Sequence, residues 1–235
     1  MKDKIFAIII GISLVFSSII GGLFFYYSRQ ETKTVRATGA ATQRLNSDIV
    51  KWRVSISRTV DLNGLKEGYQ LIKKDLDTFS AFLRDNGLDQ QEITIQPIYT
   101  NQNYNQFGQV SGYNLVQGVF IISKEIGKIE KVALNPWDLA DQGIFVQSSN
   151  LEYYISNIDQ VKRELLADAT KDAKRRAEEI VKSTGDVIKN IVSARSGVFQ
   201  ITEPYSTEVS DYGIYNTSTR EKDITVTVQA VFSLQ

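Results

Sequence analysis

One uninterrupted apolar run near the amino terminus constrains this chain more than any other feature. Residues Ile5 to Tyr27 read IFAIIIGISLVFSSIIGGLFFYY and contain neither a charge nor a proline. A helix of this length rises about 34 Å, which is enough to cross a bilayer core of about 30 Å. Lysines precede the run and aromatic residues end it, as is typical of a membrane-spanning helix. The sequence therefore predicts a transmembrane anchor over residues 5–27.

The length of the run and the residues near its end indicate whether the segment is cleaved. A signal peptide has an apolar segment of only about 7–15 residues, followed by a site with small residues. Here the segment is longer, and Ile19 and Ile20 stand where cleavage before the Gly21–Gly22 pair would require small side chains. We therefore expect an uncleaved single-pass anchor. Its flanking Lys and Arg residues are nearly balanced, but the short flank 1–4 favours a cytoplasmic amino terminus.

This topology divides the rest of the chain. Residues 28–34 form a short polar stalk, and residues 35–235 are expected to fold outside the cytoplasm, on the periplasmic or extracellular face of the cell envelope. Within the anchor, Ser17 with Gly21 and Ser18 with Gly22 have the small-xxx-small spacing that lets two helices approach closely. These four residues are the candidate site for self-association in the membrane, although glycine is common in single spans without that role.

Composition excludes several classes of function. Lys plus Arg and Asp plus Glu both number 27, so no net charge attracts nucleic acid. The chain has no cysteine and no histidine, which removes thiol catalysis, Ser–His nucleophiles and most zinc sites. We therefore expect no catalytic residues, no metal and no cofactor, and interpret the protein as a non-enzyme.

Hydrophobic periodicity predicts an α+β fold, with helices packed on mixed or antiparallel sheets. The clearest strand is Ile49–Val60, where Val50, Trp52, Val54 and Ile56 alternate with polar residues. The order of elements permits two strand–helix–strand–strand halves, 49–122 and 144–232. The remaining predicted elements are strands at 35–42, 93–99, 113–122, 144–155, 188–201 and 224–232, and helices at 65–86, 126–140 and 158–184.

Three features of this pattern leave alternatives open. The apolar stripe of helix 65–86 fits either a coiled-coil seam or packing on the protein's own sheet, and the short repeat favours the sheet. Strand 113–122 is apolar on both faces, which predicts cover on both sides by a helix or another subunit. The loops 100–112 and 202–222 are rich in amides and tyrosines and are candidates for contact with a ligand or partner.

Two charged groups on helix 158–184 are weaker candidates. Lys174 to Arg176 would suit an anionic partner, and Asp168 with Asp172 would suit a hard cation. Oppositely charged residues lie three to four positions away from both groups, so we interpret them as ion pairs on a solvated helix face.

Several short pieces of the chain are informative through their order and spacing. They are Val35-Arg36-Ala37-Thr38-Gly39, Asp48, Leu83-Arg84-Asp85-Asn86-Gly87, Ile93-Thr94-Ile95, Pro97-Ile98-Tyr99, Gly112-Tyr113, Ala167-Asp168-Ala169 and Ile224-Thr225-Val226-Thr227-Val228. Taken together, these pieces resemble the SIMPL-domain family of exported or membrane-tethered proteins. The chain departs at Ala41, where the family usually has a second glycine, and at Ser47, where it favours proline. The resemblance implies an envelope protein, in some members a ring- or channel-like homo-oligomer or one linked to stress defence, and it supplies no catalytic residue.

These observations support two hypotheses of different classes. The first is a non-enzymatic single-pass envelope protein whose outer SIMPL-like domain self-assembles into a homo-oligomer. The alternative is a membrane-tethered binding module that presents loop 100–112 or loop 202–222 to a ligand or partner. An enzyme that uses carboxylates or tyrosines is the weakest of the possibilities.

Overall fold

The computed structural model of the chain describes residues 2–28, 33–88 and 90–235. A 3-10 turn spans Gln90–Glu92, and residues 29–32 of the predicted stalk lie outside the described residues. The predicted α+β fold, with an amino-terminal apolar helix before the sheets, is confirmed. The helices are α1 (Lys2–Ser28), α2 (Leu65–Asp85), α3 (Ile126–Ala133), α4 (Trp137–Ala140) and α5 (Ile158–Lys182), and the strands are β1 (Thr34–Asn46), β2 (Ile49–Asp61), β3 (Ile93–Tyr104), β4 (Val110–Ser123), β5 (Val146–Tyr154), β6 (Ile188–Ser196), β7 (Gln200–Thr202), β8 (Ile214–Tyr215) and β9 (Glu221–Leu234).

Strands β3, β4, β2 and β5 form an antiparallel sheet in that order. The predicted alternation along β2 is confirmed, because Val50, Trp52, Val54 and Ile56 are all buried. Helices α2 and α3 pack against this strand, and the ring of Phe79 on α2 meets that of Trp52 edge to face at 5.8 Å. The apolar stripe of α2 therefore covers the protein's own sheet, and the coiled-coil alternative is wrong.

The prediction that β4 is covered on both faces is correct for one face only. Leu115, Val119 and Ile121 are buried beneath the helices, whereas Ile122 on the opposite face is 50% exposed. Phe120 on that face is partly buried, with the cationic ends of β2 side chains over its ring. On this face the side chains of Lys51 and Arg53 therefore shield Phe120, while Ile122 stays half exposed.

Strands β1, β9, β7 and β8 form a second sheet in that order, and β6 also pairs with β9. The chain divides into two compact units, the first made of residues 1–39, 170–195 and 228–235 and the second of residues 40–169 and 196–227. The sheet built on β2 lies in the second unit. The core of the first unit is made of alanine, valine and phenylalanine side chains on the three elements β1, α5 and β9: Val35, Ala37, Ala173, Ala177, Val181, Ala230 and Phe232.

Three sequence predictions differ from the observed elements. The series 144–232 does not form a separate half, because its first strand, β5, pairs with β2 in the other sheet. Strands β3 and β4 extend well into loop 100–112, so only residues 105–109 form the turn. On α5 the spacing of apolar residues by three and four from Ile158 predicts that Ile180 is buried, but Ile180 is exposed. The buried stripe continues in steps of four residues and ends at Val181 instead.

A glycine in β4 gives a test of this packing. A Cβ added to Gly112 would lie 2.3 Å from the carbonyl oxygen of Val60, whereas one added to Gly118 in the same strand would meet its nearest atom at 3.5 Å. We expect Gly112→Ala to lower the free energy of unfolding by about 1–3 kcal/mol, because backbone must move. Gly118→Ala is the control and should be neutral or slightly stabilising. Denaturant unfolding of the full chain in non-ionic detergent, followed by tryptophan fluorescence, measures both, and equal loss in the two variants would contradict the prediction.

Candidate functional site

Helix α1 is apolar throughout its described side chains. Its window Ile10–Tyr27 has a mean hydropathy of 1.8, and none of that window is buried against the rest of the protein. A helix with these properties is long and apolar enough to cross a membrane, and a signal sequence shares the same properties. The structure therefore supports an amino-terminal membrane anchor or signal segment.

The candidate self-association residues all lie on the exposed surface of α1. Ser17 and Gly21 are one turn apart, as are Ser18 and Gly22. The hydroxyl of Ser18 donates to the carbonyl of Leu14 at 2.9 Å, so it is satisfied within its own helix. A Cβ added to Gly21 or Gly22 would meet no atom within 4 Å. The described residues thus leave this face open, and self-association through it stays a prediction.

Loop 202–222 is held from within by a buried lysine that the sequence analysis did not single out. Lys222 is fully buried at the start of β9, and its Nζ donates to the carbonyl oxygens of Asn216 at 2.6 Å and Thr219 at 2.7 Å. Burial lowers the pKa of Lys222 to about 8, with the nearby Glu203 opposing that shift. Glu203 also accepts a hydrogen bond from the Asn216 amide at 2.6 Å. Asn216 is therefore held by both ends of the loop, through its side-chain amide to Glu203 and its carbonyl to Lys222.

A second cluster fixes the other side of this loop. Arg44 forms a bidentate pair with Asp223, at 2.7 and 2.9 Å, and its guanidinium lies 4.3 Å from the centre of the Tyr205 ring. The hydrogen bonds from Arg44 lower the pKa of Asp223. Tyr205 adopts a left-handed backbone with a φ of 63°, which a bulky residue rarely occupies. The hydrogen bonds and ring contact therefore hold Tyr205 at the surface in an uncommon conformation.

The two candidate loops both present large side chains to solvent. In loop 202–222, Tyr212 is 98% exposed and Val209 is 80% exposed. In the β3–β4 turn, the side-chain oxygen of Asn105 accepts hydrogen bonds from the backbone of Phe107 and Gln109, and the Phe107 ring is exposed. Each loop is thus internally braced while its aromatic side chains stay free of the core.

The charged groups on α5 behave as ion pairs. Asp172 accepts from Arg175 at 3.0 Å and from Arg176 at 2.7 Å, and Lys174 lies 3.7 Å from Glu178. These are exposed pairs three to four positions apart on one helix, as the sequence analysis predicts. Among the described residues, no group of three or more acidic side chains is placed to hold a metal ion.

Comparison with known proteins identifies the family. The model of the SIMPL family, described as a protein of unknown function (DUF541), matches residues 35–232. The match begins one residue into β1 and ends within β9, so it covers both sheets. A search of the curated proteins finds no match to the chain.

The buried lysine predicts a pH dependence of stability. Between pH 8 and about 10.5 the unfolded chain keeps a proton that Lys222 has lost in the folded state, so stability gains from Lys222 as pH rises through this window. We expect the difference in unfolding free energy between the wild type and Lys222→Met to shift by up to about 3 kcal/mol across it, in favour of the wild type. Lys66→Met removes an exposed lysine and is the control. A flat difference for Lys222→Met in pH-dependent denaturant unfolding would contradict the prediction.

Proposed function

The chain belongs to the SIMPL family, and from that premise we propose that it is a non-enzymatic, single-pass membrane protein of the cell envelope. Its SIMPL domain faces the periplasmic or extracellular side and assembles with other copies of the same chain. The observation that carries the tether is α1, whose apolar window is exposed along its whole described length. An exposed apolar helix of this length has a favourable free energy in lipid, whereas in water its apolar surface is unfavourably solvated.

The absence of catalysis is part of the proposal and is supported by composition. The chain has neither histidine nor cysteine, so a general base or nucleophile would have to be a carboxylate, lysine or hydroxyl. Two of the groups with perturbed pKa values, Lys222 and Asp223, are explained by their surroundings: burial lowers the pKa of Lys222, and hydrogen bonds from the Arg44 guanidinium lower the pKa of Asp223. These groups brace the loop, and a structural role explains both pKa shifts.

Self-assembly is supported by an unusual strand of the first unit. Among the described residues, β6 is hydrogen-bonded to β9 and to no other strand, so its second edge offers unpaired backbone groups. Ile191 and Val192, consecutive residues that point to opposite faces, are both at least half exposed. A long edge strand with apolar residues on both faces is a template for pairing with an identical strand. The proposed contact is therefore β6 against β6 of a second copy.

A second candidate function follows from the braced loops. A rigid loop with exposed aromatic side chains loses little conformational entropy on binding, which is typical of contact surfaces for a partner. Under this alternative the protein is a membrane-tethered binding module, and loop 202–222 or the turn of loop 100–112 contacts the ligand. The exposure of Tyr212 and Phe107 favours it.

The proposed topology predicts which residues an impermeant reagent reaches. Because the natural chain has no cysteine, a single cysteine introduced as Tyr212→Cys is the only target for a membrane-impermeant maleimide. We expect intact cells, stripped of any outer wall, to be labelled at Tyr212→Cys but not at Asp3→Cys, and lysis to expose both. The reverse pattern would contradict the topology. A mature chain that begins near Ser28, measured by mass spectrometry, would contradict the uncleaved anchor.

The proposed assembly predicts that charge on β6 separates the copies. Val192→Lys replaces an apolar side chain that is 58% exposed with a cationic one, so the chain should still fold. In the assembly the two symmetric Val192 positions would lose their apolar contacts with the other copy. We expect association of the full chain in detergent to weaken about tenfold or more, measured as mass by light scattering.

Val209→Lys is the matched control, because it makes the same change at an exposed residue of loop 202–222. It should leave the mass unchanged. A wild-type chain that is monomeric at its cellular concentration would contradict self-assembly. Loss of a co-purifying partner in Val209→Lys, with no effect of Val192→Lys on that partner or on mass, would favour the binding module instead.

A further inference from the structure

A cleft in the second unit is not explained by the tether, the loops or the sheet edges. It has a volume of about 730 Å³, within the range of about 300–1,000 Å³ that is typical of small-molecule sites. Three segments meet there: the end of β1 with the link to β2, the turn that leads into α3, and the residue before β9. Its lining residues are Asn46, Ser47, Asp48, Lys124, Glu125, Ile126, Gly127, Lys128 and Arg220.

The acidic groups of this cleft are already engaged by other residues. Asp48 accepts hydrogen bonds from the backbone N–H of Ser156 at 2.7 Å and from its hydroxyl. Burial would raise the pKa of Asp48, but these hydrogen bonds and the charge of Lys124 outweigh it, so the pKa lies below its usual range. Glu125 pairs with Lys128 at 3.5 Å. Both carboxylates therefore already have partners within the protein, Ser156 for Asp48 and Lys128 for Glu125.

Several hydrogen-bond donors of the cleft, in contrast, have no acceptor or only a distant one. Ser47 is 3% exposed, and its Oγ is buried with no hydrogen-bond partner among the described residues. A buried hydroxyl without a partner destabilises the folded chain, so a ligand that accepts its hydrogen bond would remove that cost. Lys124 forms no salt bridge within the described part of the chain, although its charge acts on Asp48. Arg220 reaches Glu130 only at 3.9 Å and keeps half of its side chain exposed.

The first turn of α3 adds a backbone donor to this set. Glu125 precedes the helix and makes no side-chain cap. The N–H groups of Ile126, Lys128 and Ile129 are bonded to nearby carbonyls, whereas no carbonyl or side chain of the described residues accepts from Gly127. A Cβ added to Gly127 would meet nothing within 4 Å, so the space beside its Cα is open. A free N–H at a helix amino terminus attracts an anion.

From this surplus of donors we propose that the cleft binds a phosphate group carried by a larger molecule. The Gly127 N–H and the Ser47 hydroxyl bind phosphate oxygens, and Lys124 and Arg220 neutralise its charge. The cleft is larger than a free phosphate ion, which leaves room for the organic part of a phosphate ester. That ester is either a lipid headgroup or a soluble molecule, since both present the same group. The site is independent of self-assembly, because no β6 residue lines it.

The test uses the full chain in neutral detergent and two substitutions in the cleft. Calorimetric titration with glycerol 1-phosphate, and separately with inorganic phosphate, measures the affinity at low salt. We expect Lys124→Gln and Ser47→Ala each to weaken binding of glycerol 1-phosphate about tenfold, because each removes a hydrogen bond to a charged group. Lys74→Gln, on the exposed face of α2, is the control and should bind as the wild type does.

Ser47→Ala separates binding from a structural role. Without ligand its thermal midpoint should equal or exceed that of the wild type, because the buried hydroxyl has no partner to lose. Loss of affinity with retained stability supports the site. Equal affinity in Ser47→Ala, Lys124→Gln and Lys74→Gln overturns it, as does the absence of saturable binding of every probe.

The source of the phosphate is distinguished with nanodiscs. The protein is placed in discs of phosphatidylcholine with or without phosphatidylglycerol, and glycerol 1-phosphate is titrated into both. If anionic lipid competes and lowers its apparent affinity, and the competition is lost in Lys124→Gln, the ligand is a lipid headgroup. If the affinity is the same in both discs and in the neutral detergent, which contains no phosphate group, the ligand is a soluble phosphate ester. Both results support the site.

Discussion

The second unit depends on strand β2, which holds together two strands and two helices at once. Its buried face packs against Phe79 of α2, and its edges pair with β4 and β5 along nearly their whole length. Arg58 near its end forms a bidentate pair with the buried Asp75 of α2 and also donates to the carbonyl of Gly143 at 2.7 Å. Removing either charge would leave the other without its partner, so the pair fixes how α2 lies on the sheet.

The sequence predicted those parts of the fold that depend on local periodicity. Alternation identified β2, and apolar residues spaced three and four positions apart identified α2 and α5, because one buried face imposes one period on each element. The predictions failed where contacts between distant parts of the chain determine which strands pair and where they end. Nothing in the pattern of 144–155 shows that β5 pairs with β2, and nothing in loop 100–112 shows that cross-strand hydrogen bonds extend β3 to Tyr104. Pairing partners are a property of the whole chain, so a local pattern does not contain them.

The candidate sites followed the same rule. Ser17, Ser18, Gly21 and Gly22 were found from spacing on one helix, and the structure places them on its surface as spacing requires. Lys222 was missed, because in sequence it is one polar residue at the start of an alternating strand. Its position in phase with Ile224 and Val226 was the available signal, since a lysine on the inward face must be buried with its own partners. The cleft gave no signal, because its three segments lie far apart in the chain.

Two kinds of unpaired group support the two proposals, and they differ in what they exclude. An edge strand has donors and acceptors in equal number, so it fits another strand and gives no preference for charge. The cleft beside α3 has engaged acceptors and free donors, so it selects an anion. The two sets belong to different units, β6 to the first and the cleft to the second. Under the two proposals this chain assembles through one unit and binds a phosphate group through the other, and neither property requires a catalytic residue.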